Sequence, residues 1–176
     1  MAKVNFLGMV AAIMFLSAFT IGSSMSWNIE EDYAIKFSNK KASGIFTKFT
    51  GDIEFERTNL SASKFDVQIE VASIKTGNFL KNSHAKGKKW FNAKEYPTIN
   101  FTSEKFNKTT TGYEVIGTLE MRGVKKEMTL PFTFEDKVFK SSFTVNRTDF
   151  NIGSTKGMAK KVPHEIQLDI AIPVSK

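Results

Sequence analysis

The sequence predicts an all-β domain of about eight antiparallel strands, arranged as a barrel or a sandwich, with one short helix. Three observations support this prediction. From Trp27 onward, apolar and polar residues alternate with a period of two in one run after another, which gives a strand one apolar face and one wet face. Turn-forming residues separate the runs, as they do in antiparallel sheets. Residues 76–89 are the exception, because they lack the alternation.

The first 26 residues differ from the rest and are predicted to be a cleaved signal peptide. They carry one charge, Lys3, then an apolar run from Val4 to Phe19, and they end in small and polar residues. These are the three parts of a secretory signal. The apolar run of about 16 residues is shorter than the roughly 20 that a spanning helix needs, although a retained N-terminal anchor stays an alternative. We expect cleavage near residues 24–26, which makes the mature domain, residues 27–176, periplasmic or secreted.

Eight alternating runs follow the signal segment and are the predicted strands. The apolar members of each run share one parity, so they are expected to face one side of the sheet. In chain order these members are Ile35 and Phe37; Ile53 and Phe55; Phe65, Val67, Ile69 and Val71; Ile99 and Phe101; Val115, Gly117, Leu119 and Met121; Met128, Leu130, Phe132 and Phe134; Phe139, Phe143 and Val145; and Ile166, Leu168, Ile170 and Ile172.

Two hairpins and one helix can be placed between these runs. Arg122-Gly123 is predicted to form a two-residue turn, because glycine takes positive φ without steric cost. The polar stretch 105–112 suits a second hairpin loop. Residues 78–87 predict a short helix that covers one end of the sheet structure, with Thr76 or Asn78 as its N-terminal cap and Gly87 at its end.

The composition excludes several classes of site. The chain has no cysteine, which rules out disulfides, thiolate metal sites, a cysteine nucleophile and a lipidated N-terminal cysteine. Burial alone must therefore hold an exported domain together. Of the 17 phenylalanines, three (Phe6, Phe15 and Phe19) lie in the signal segment, which leaves 17 − 3 = 14 for the domain. Because each phenylalanine buries a large apolar surface, this number suffices.

No catalytic, metal or cofactor site is predicted. His84 and His164 are the two histidines, and neither stands in a paired spacing that binds zinc. The stretch 153–157, Gly-Ser-Thr-Lys-Gly, lacks the lysine-serine or lysine-threonine pair that follows the second glycine of a phosphate loop. Arg147 is expected to pair with a carboxylate such as Asp149 or to tie down a loop.

A series of short motifs, in a specific order and spacing, covers nearly all of residues 27–176. They are Trp27-Asn28-Ile29-Glu30; Ile45-Phe46; Phe49-Thr50-Gly51-Asp52-Ile53; Ala72-Ser73-Ile74-Lys75-Thr76-Gly77; His84 before Trp90-Phe91-Asn92; Tyr96-Pro97-Thr98-Ile99-Asn100-Phe101; Gly117-Thr118-Leu119-Glu120-Met121-Arg122-Gly123-Val124-Lys125-Lys126; and Asn146-Arg147-Thr148-Asp149-Phe150. This series resembles the YceI-like family of periplasmic, lipocalin-like polyisoprenoid-binding proteins. The chain departs from the family in having Asp32-Tyr33 where a His-Ser pair is usual, and Asn82 where an acid is usual.

The resemblance implies an eight-stranded antiparallel lipocalin-like barrel with one short helix near residues 78–87 and an apolar tunnel. Such a protein would bind an isoprenoid, a quinone or another long-chain amphiphile for carriage, storage or sequestration, and would not be an enzyme. Burying a methylene is worth about 0.8 kcal/mol, so a chain needs few polar contacts. The same apolar residues would serve equally as ordinary core. The candidate ligand-binding residues are Val67, Ile69, Phe79, Leu80, His84, Trp90, Phe101, Leu119, Leu130, Phe132, Phe143 and Leu168.

The charge pattern suggests further partners and leaves two alternatives open. A basic cluster around the predicted helix, formed by Lys81, Lys86, Lys88, Lys89 and Lys94, is either a solvated face or a site of transient contact with an anionic membrane surface. We expect no nucleic-acid partner, and the sequence leaves a homodimer open. The alternatives are a basic OB-like barrel that exposes phenylalanines to bind nucleic acid and an enzyme that acts on a lipid.

Overall fold

Eleven β-strands and one α-helix are found in residues 25–153 and 160–176, the parts of the chain that the computed structural model describes. Most of the predicted signal peptide and most of the stretch 153–157 lie outside these residues. The helix α1 spans Phe79–Lys86. The strands are β1 (Ser26–Ile29), β2 (Ala34–Ser38), β3 (Ser43–Phe46), β4 (Phe49–Glu54), β5 (Lys64–Glu70), β6 (Ile74–Lys75), β7 (Thr98–Lys108), β8 (Tyr113–Met121), β9 (Val124–Glu135), β10 (Val138–Asn146) and β11 (Glu165–Ser175).

The strand segments combine into a closed barrel of eight strands. Both β1 and β2 pair with β11, so they are two halves of one strand. The segments β3 and β4 pair with β2 and β1, and β6 and β5 pair in turn with β3 and β4. Five longer strands, β7 to β11, complete the circle, and the pairing of β1 with β11 closes it. All pairings are antiparallel, so the predicted eight-stranded antiparallel barrel is confirmed.

Side chains bridge the breaks between the halves of the first three strands. The hydroxyl of Tyr33 donates a hydrogen bond to the carbonyl of Thr47 and accepts one from the N–H of Phe49, each 3.0 Å long. Thr47 is bonded in turn to Ser73 through its N–H and its hydroxyl, at 3.2 and 3.1 Å. The Tyr33 hydroxyl therefore links adjacent broken strands.

The alternation along β8 and its turn agree with the sequence prediction. Val115, Gly117, Leu119 and Met121 are buried, and the residues between them are half-buried. Arg122 and Gly123 form the turn to β9, with φ of 50° and 72°, the positive values that such a hairpin requires. The loop predicted at 105–112 is shorter, because β7 continues to Lys108 and buries Phe106.

One end of the barrel is filled by aromatic side chains, which we call the aromatic plug. Phe55 lies at its centre and is 1% exposed. Its ring centroid is 5.1 Å from that of Tyr113 and 5.4 Å from those of Phe132 and Phe134, within the range of favourable edge-to-face contacts. The plug consists of Phe55, Phe65, Phe106, Tyr113, Phe132, Phe134 and Phe139.

The opposite end, the mouth, is bordered by α1 and by the loops that follow β2 and β10. The side chain of Asn78 accepts a hydrogen bond from the N–H of Lys81 at 3.0 Å and so begins the helix. The N–H of Gly87 donates to the carbonyl of His84 and ends it. The predicted helix is thus confirmed, with Asn78 as its cap. Thr76 instead donates its N–H and its hydroxyl to the Asn82 side chain, both at 2.8 Å.

Candidate ligand-binding cavity

A cavity of about 440 Å³ lies between the aromatic plug and the mouth. This volume falls within the roughly 300–1,000 Å³ of small-molecule sites. Its wall is built from the inward members of the strand runs, such as Ile35 on β2, Val115 on β8 and Ile170 on β11. Phe65, Phe132 and Phe139 of the plug also line it and form its floor. Because the plug fills one end of the barrel, the cavity is a deep apolar pocket that is bordered by the mouth at its other end.

Most of the candidate ligand-binding residues lie around this cavity. Their inward parity on the strands, or their place at the mouth, brings them together. The ten that line the cavity are Val67, Ile69, His84, Trp90, Phe101, Leu119, Leu130, Phe132, Phe143 and Leu168. Further lining residues were not singled out from the sequence, although their parity in the same runs was the available signal; they include Ile35, Ile53, Ile99, Met121, Val145 and Ile166.

Phe79 and Leu80 do not line the cavity, and the prediction that they do is wrong. They are 88% and 61% exposed. The helix turns its Lys81, His84 and Ala85 face toward the cavity. Because successive helical residues are rotated by about 100°, Phe79 falls nearly opposite this face and Leu80 falls at its flank. The sequence placed the helix correctly but not its rotation about its own axis.

Polar groups are concentrated at the mouth, and the charged ones are two lysines and an arginine. Lys41, Lys81, His84 and Arg147 line the cavity, and no carboxylate lines it in the described part of the chain. Asn39 accepts hydrogen bonds from the N–H groups of Lys41 and Ala42 at 2.8 Å each. Its own amide nitrogen is buried and has no partner among the described residues. The mouth therefore offers cations and an amide donor above an apolar interior.

Arg147 is buried at the mouth and ties a loop to the barrel. It is 3% exposed, and this burial lowers the pKa of its guanidinium below the ordinary value. The guanidinium donates to the carbonyls of Ile152, Val162 and Pro163 at 2.7, 2.9 and 3.0 Å. It also lies 5.5 Å from the centre of the Trp90 ring. Of the two roles expected for Arg147, loop attachment is the one these bonds perform.

Asp149, the suggested carboxylate partner of Arg147, makes a different contact. It lies 3.4 Å from the ammonium of Lys126 on β9. Both side chains are about half exposed, at 47% and 41%, and such surface pairs contribute little to stability. This pair helps to hold the residues after β10 beside β9.

In the cavity wall, β9 and β10 are hydrogen-bonded to each other over a short length only. Their ladder ends at the pair of Thr133 and Lys140. Pro131 has no N–H with which to extend it, and the Ser141 hydroxyl instead donates to the Pro131 carbonyl at 2.6 Å. The half-buried Leu130 and Phe143 line the cavity on the two sides of this seam. A proline inside an alternating run was the sequence signal for this feature.

The described residues contain no group of three or more histidine, aspartate or glutamate side chains placed to hold a metal ion. Within the same residues, no helix has the length and apolar character needed to cross a bilayer.

Sequence comparison gives one family and several bacterial relatives. The sequence model of the family described as YceI-like domain matches residues 21–174. A UPF0312 protein of Yersinia enterocolitica is 28% identical, over 93% of this chain and 92% of the relative. A UPF0312 protein of Yersinia pestis gives the same identity and the same coverage.

Comparison with solved structures gives the same barrel. The crystal structure of BcnA from Burkholderia cenocepacia matches with a TM-score of 0.76 and 26% identity, over 85% of this chain and 100% of that chain. A YceI protein of Campylobacter jejuni matches with a TM-score of 0.65 and 24% identity, over 79% and 88% of the two chains. A polyisoprenoid binding domain from Saccharophagus degradans matches with a TM-score of 0.60 and 12% identity, over 85% and 97%.

Proposed function

The chain belongs to the YceI-like domain family, as the resemblance of its motifs predicted, and on this premise we propose that it binds a long-chain amphiphile inside its barrel. The observation that carries the proposal is the apolar cavity of about 440 Å³, which is open at the mouth and stopped by the aromatic plug. A hydrocarbon chain would enter this space and leave its polar headgroup at the mouth. The protein would then carry, store or sequester the lipid.

The ligand class that fits best is an isoprenoid or a similar chain, including a quinone. A fold relative from Saccharophagus degradans is described as a polyisoprenoid binding domain. The wall of this cavity is almost wholly apolar, so binding would come from burial of the chain. About ten buried carbons would gain on the order of 8 kcal/mol before the cost of association. Among the side chains that would contact the chain are Val67, Leu119, Leu130, Phe143 and Leu168.

The mouth would receive the headgroup. Lys41, Lys81 and His84 line it, and no described carboxylate does, which favours a headgroup with acceptor oxygens or a negative charge. The contribution of His84 can be tested by its replacement with alanine. If the retained lipids are unchanged in amount and kind, His84 has no part in headgroup binding.

We propose a binding role without catalysis, and a periplasmic location. A fold relative is described as a polyisoprenoid binding domain, the resemblance of the motifs implies a periplasmic binding protein, and residues 1–26 have the composition of an export signal. The nucleic-acid alternative is disfavoured because the phenylalanines point inward. Of the described phenylalanines, Phe79 is the exposed one, and an eight-stranded meander differs from the five-stranded OB barrel.

The direct test is to identify what the protein carries. The full chain would be expressed in a bacterial host, purified from the envelope without detergent and examined by native mass spectrometry. Its organic extract would be analysed for lipids. We expect a reproducible adduct that the extract identifies as one long-chain amphiphile. A protein that is always empty, and that takes up neither a polyprenol nor a long-chain quinone, would contradict the proposal.

A further inference from the structure

The first turn of α1 presents two large apolar side chains to solvent. Phe79 is 88% exposed and Leu80 is 61% exposed, and the other large apolar side chain exposed in the described residues, Ile45, is 39% exposed. The Asn78 cap determines where the helix begins, and the cavity-facing side of the helix determines its rotation. Phe79 and Leu80 are therefore held outward by the fold. Adjacent exposed apolar residues on a structured element indicate a binding surface.

The chain around this turn is strongly and uniformly basic. Residues 75–94 contain six lysines and no aspartate or glutamate. The lysines are Lys75, Lys81, Lys86, Lys88, Lys89 and Lys94. Exposed apolar side chains within a lysine-rich segment are the pattern of elements that lie in the interface of an anionic bilayer, where the apolar groups enter the headgroup region and the cations meet lipid phosphates.

The exposed first turn of α1 lies next to the mouth of the cavity, so membrane contact there would bring the mouth close to the bilayer. On α1, Lys81, His84 and Ala85 line the cavity, and Phe79 and Leu80 precede them in the same helix. A bilayer that receives Phe79 and Leu80 would therefore lie beside the mouth. A lipid chain could then move between the leaflet and the cavity without crossing open water.

We propose that α1 is a membrane-docking element, in which Phe79 and Leu80 insert into the outer part of an anionic bilayer. The purpose of docking, lipid exchange, rests on the proposed function, but docking itself does not. A second copy of this chain is a poorer occupant, because two copies meeting at this surface would bring two lysine clusters together. A stable dimer also needs about 800 Å² of buried surface on each partner, far more than two side chains supply.

Vesicle binding tests the apolar part of the proposal. Protein made from the full chain and purified from the envelope is mixed with vesicles of phosphatidylglycerol and phosphatidylethanolamine, or of phosphatidylcholine alone, and bound protein is measured by flotation. We expect binding to the anionic vesicles, and a loss of at least tenfold in the double variant F79S/L80S. Unchanged melting of this variant would show that the fold is intact, because both side chains are exposed.

A pair of charge variants tests the basic part with a matched control. K88E/K89E reverses two exposed lysines beside α1, and K105E/K108E reverses two exposed lysines at the plugged end of the barrel. Both variants have the same net charge. We expect at least a tenfold loss of vesicle binding in the first and less than a twofold loss in the second. Equal losses would mean that net charge alone drives binding, and would overturn the proposal.

A label at the helix tip tests insertion directly. The chain has no cysteine, so Phe79→Cys accepts a single environment-sensitive fluorophore, and Lys105→Cys provides the control. We expect a blue shift with anionic vesicles, and quenching by brominated lipids, for the first label and neither for the second.

Absence of vesicle binding, or concentration-dependent dimers that F79S/L80S abolishes, would overturn the proposal. If F79S/L80S protein still retains lipid adducts in native mass spectrometry, the cavity binds lipid even without the docking side chains. Failure of docking can therefore be distinguished from failure of the proposed function.

Discussion

At the scale of single residues, Arg147 connects several parts of the mouth. Its guanidinium holds three backbone carbonyls and lies beside the Trp90 ring, so it joins the loop before β11 to the cavity wall. We expect Arg147→Met to lower the free energy of unfolding by about 3 kcal/mol, because buried acceptors lose their donor. Urea unfolding measures this change. Lys126→Met, which removes the exposed ion pair with Asp149, should cost less than about 1 kcal/mol, and an equal cost would contradict the role assigned to Arg147.

Val67 is the residue at which the cavity can be filled most simply. It lies inward on β5, is half-buried and lines the cavity. We expect Val67→Trp to occupy the space of the ligand chain and to reduce the retained lipid at least tenfold, as measured by native mass spectrometry. The neighbouring Gln68 is exposed on the outer face, so Gln68→Trp should keep the lipid. Equal retention in the two variants would mean that the ligand does not lie beside β5.

At the scale of elements, the N-terminal cap of α1 stabilises the helix itself and not the whole barrel. Asn78 accepts the N–H of Lys81, and the loss of such a cap costs about 1 kcal/mol. Because α1 lies on the rim and buries none of its residues fully, we expect Asn78→Ala to speed hydrogen exchange of the α1 amides about fivefold. The urea midpoint of the whole barrel should barely move. Ser83→Ala in the same helix is the control, and faster exchange there as well would contradict capping by Asn78.

Elements could be predicted from the sequence to the extent that their signals are local. The Arg122-Gly123 turn and the helix with its Asn78 cap depend on residues next to one another, and both were predicted. The outward rotation of Phe79 and Leu80 could not be, because it depends on which helix face meets the barrel. The end of the β9–β10 ladder at Thr133, two residues from Pro131, has a local signal, since a proline cannot continue a central ladder.

At the scale of the whole molecule, alternation predicts which side chains face inward but not what they meet there. Phe101 and Phe106 have opposite parity on β7, and both are buried because a bulge between Ser103 and Lys105 shifts the register. Phe101 lines the cavity, whereas Phe106 belongs to the plug. The difference arises because Phe106 packs against Phe65 on the neighbouring strand β5 and against Phe55, which follows β4. Contacts of this kind join distant parts of the chain, so a single sequence could predict the barrel but not the position of its cavity.

The plug sets the depth of the cavity, and Phe55 is the residue that tests this. Its ring contacts six other aromatic rings, so truncation to alanine should cost about 3–5 kcal/mol. Phe55→Leu is the milder variant, and it should still open space below the floor formed by Phe132 and Phe139. We expect the retained lipids to shift toward longer chains in native mass spectrometry of Phe55→Leu protein.

Phe150 provides the matched control for this last prediction. It is also 1% exposed, but it lies in the short 3₁₀ helix Arg147–Phe150 near the mouth and is not among the residues that line the cavity. Phe150→Leu should therefore lower stability by a comparable amount without changing the chain length that is retained. If both variants left the chain length unchanged, the plug would be ordinary core and the depth of the cavity would have another cause. If both shifted it, the shift would follow from lost stability and not from a deeper pocket.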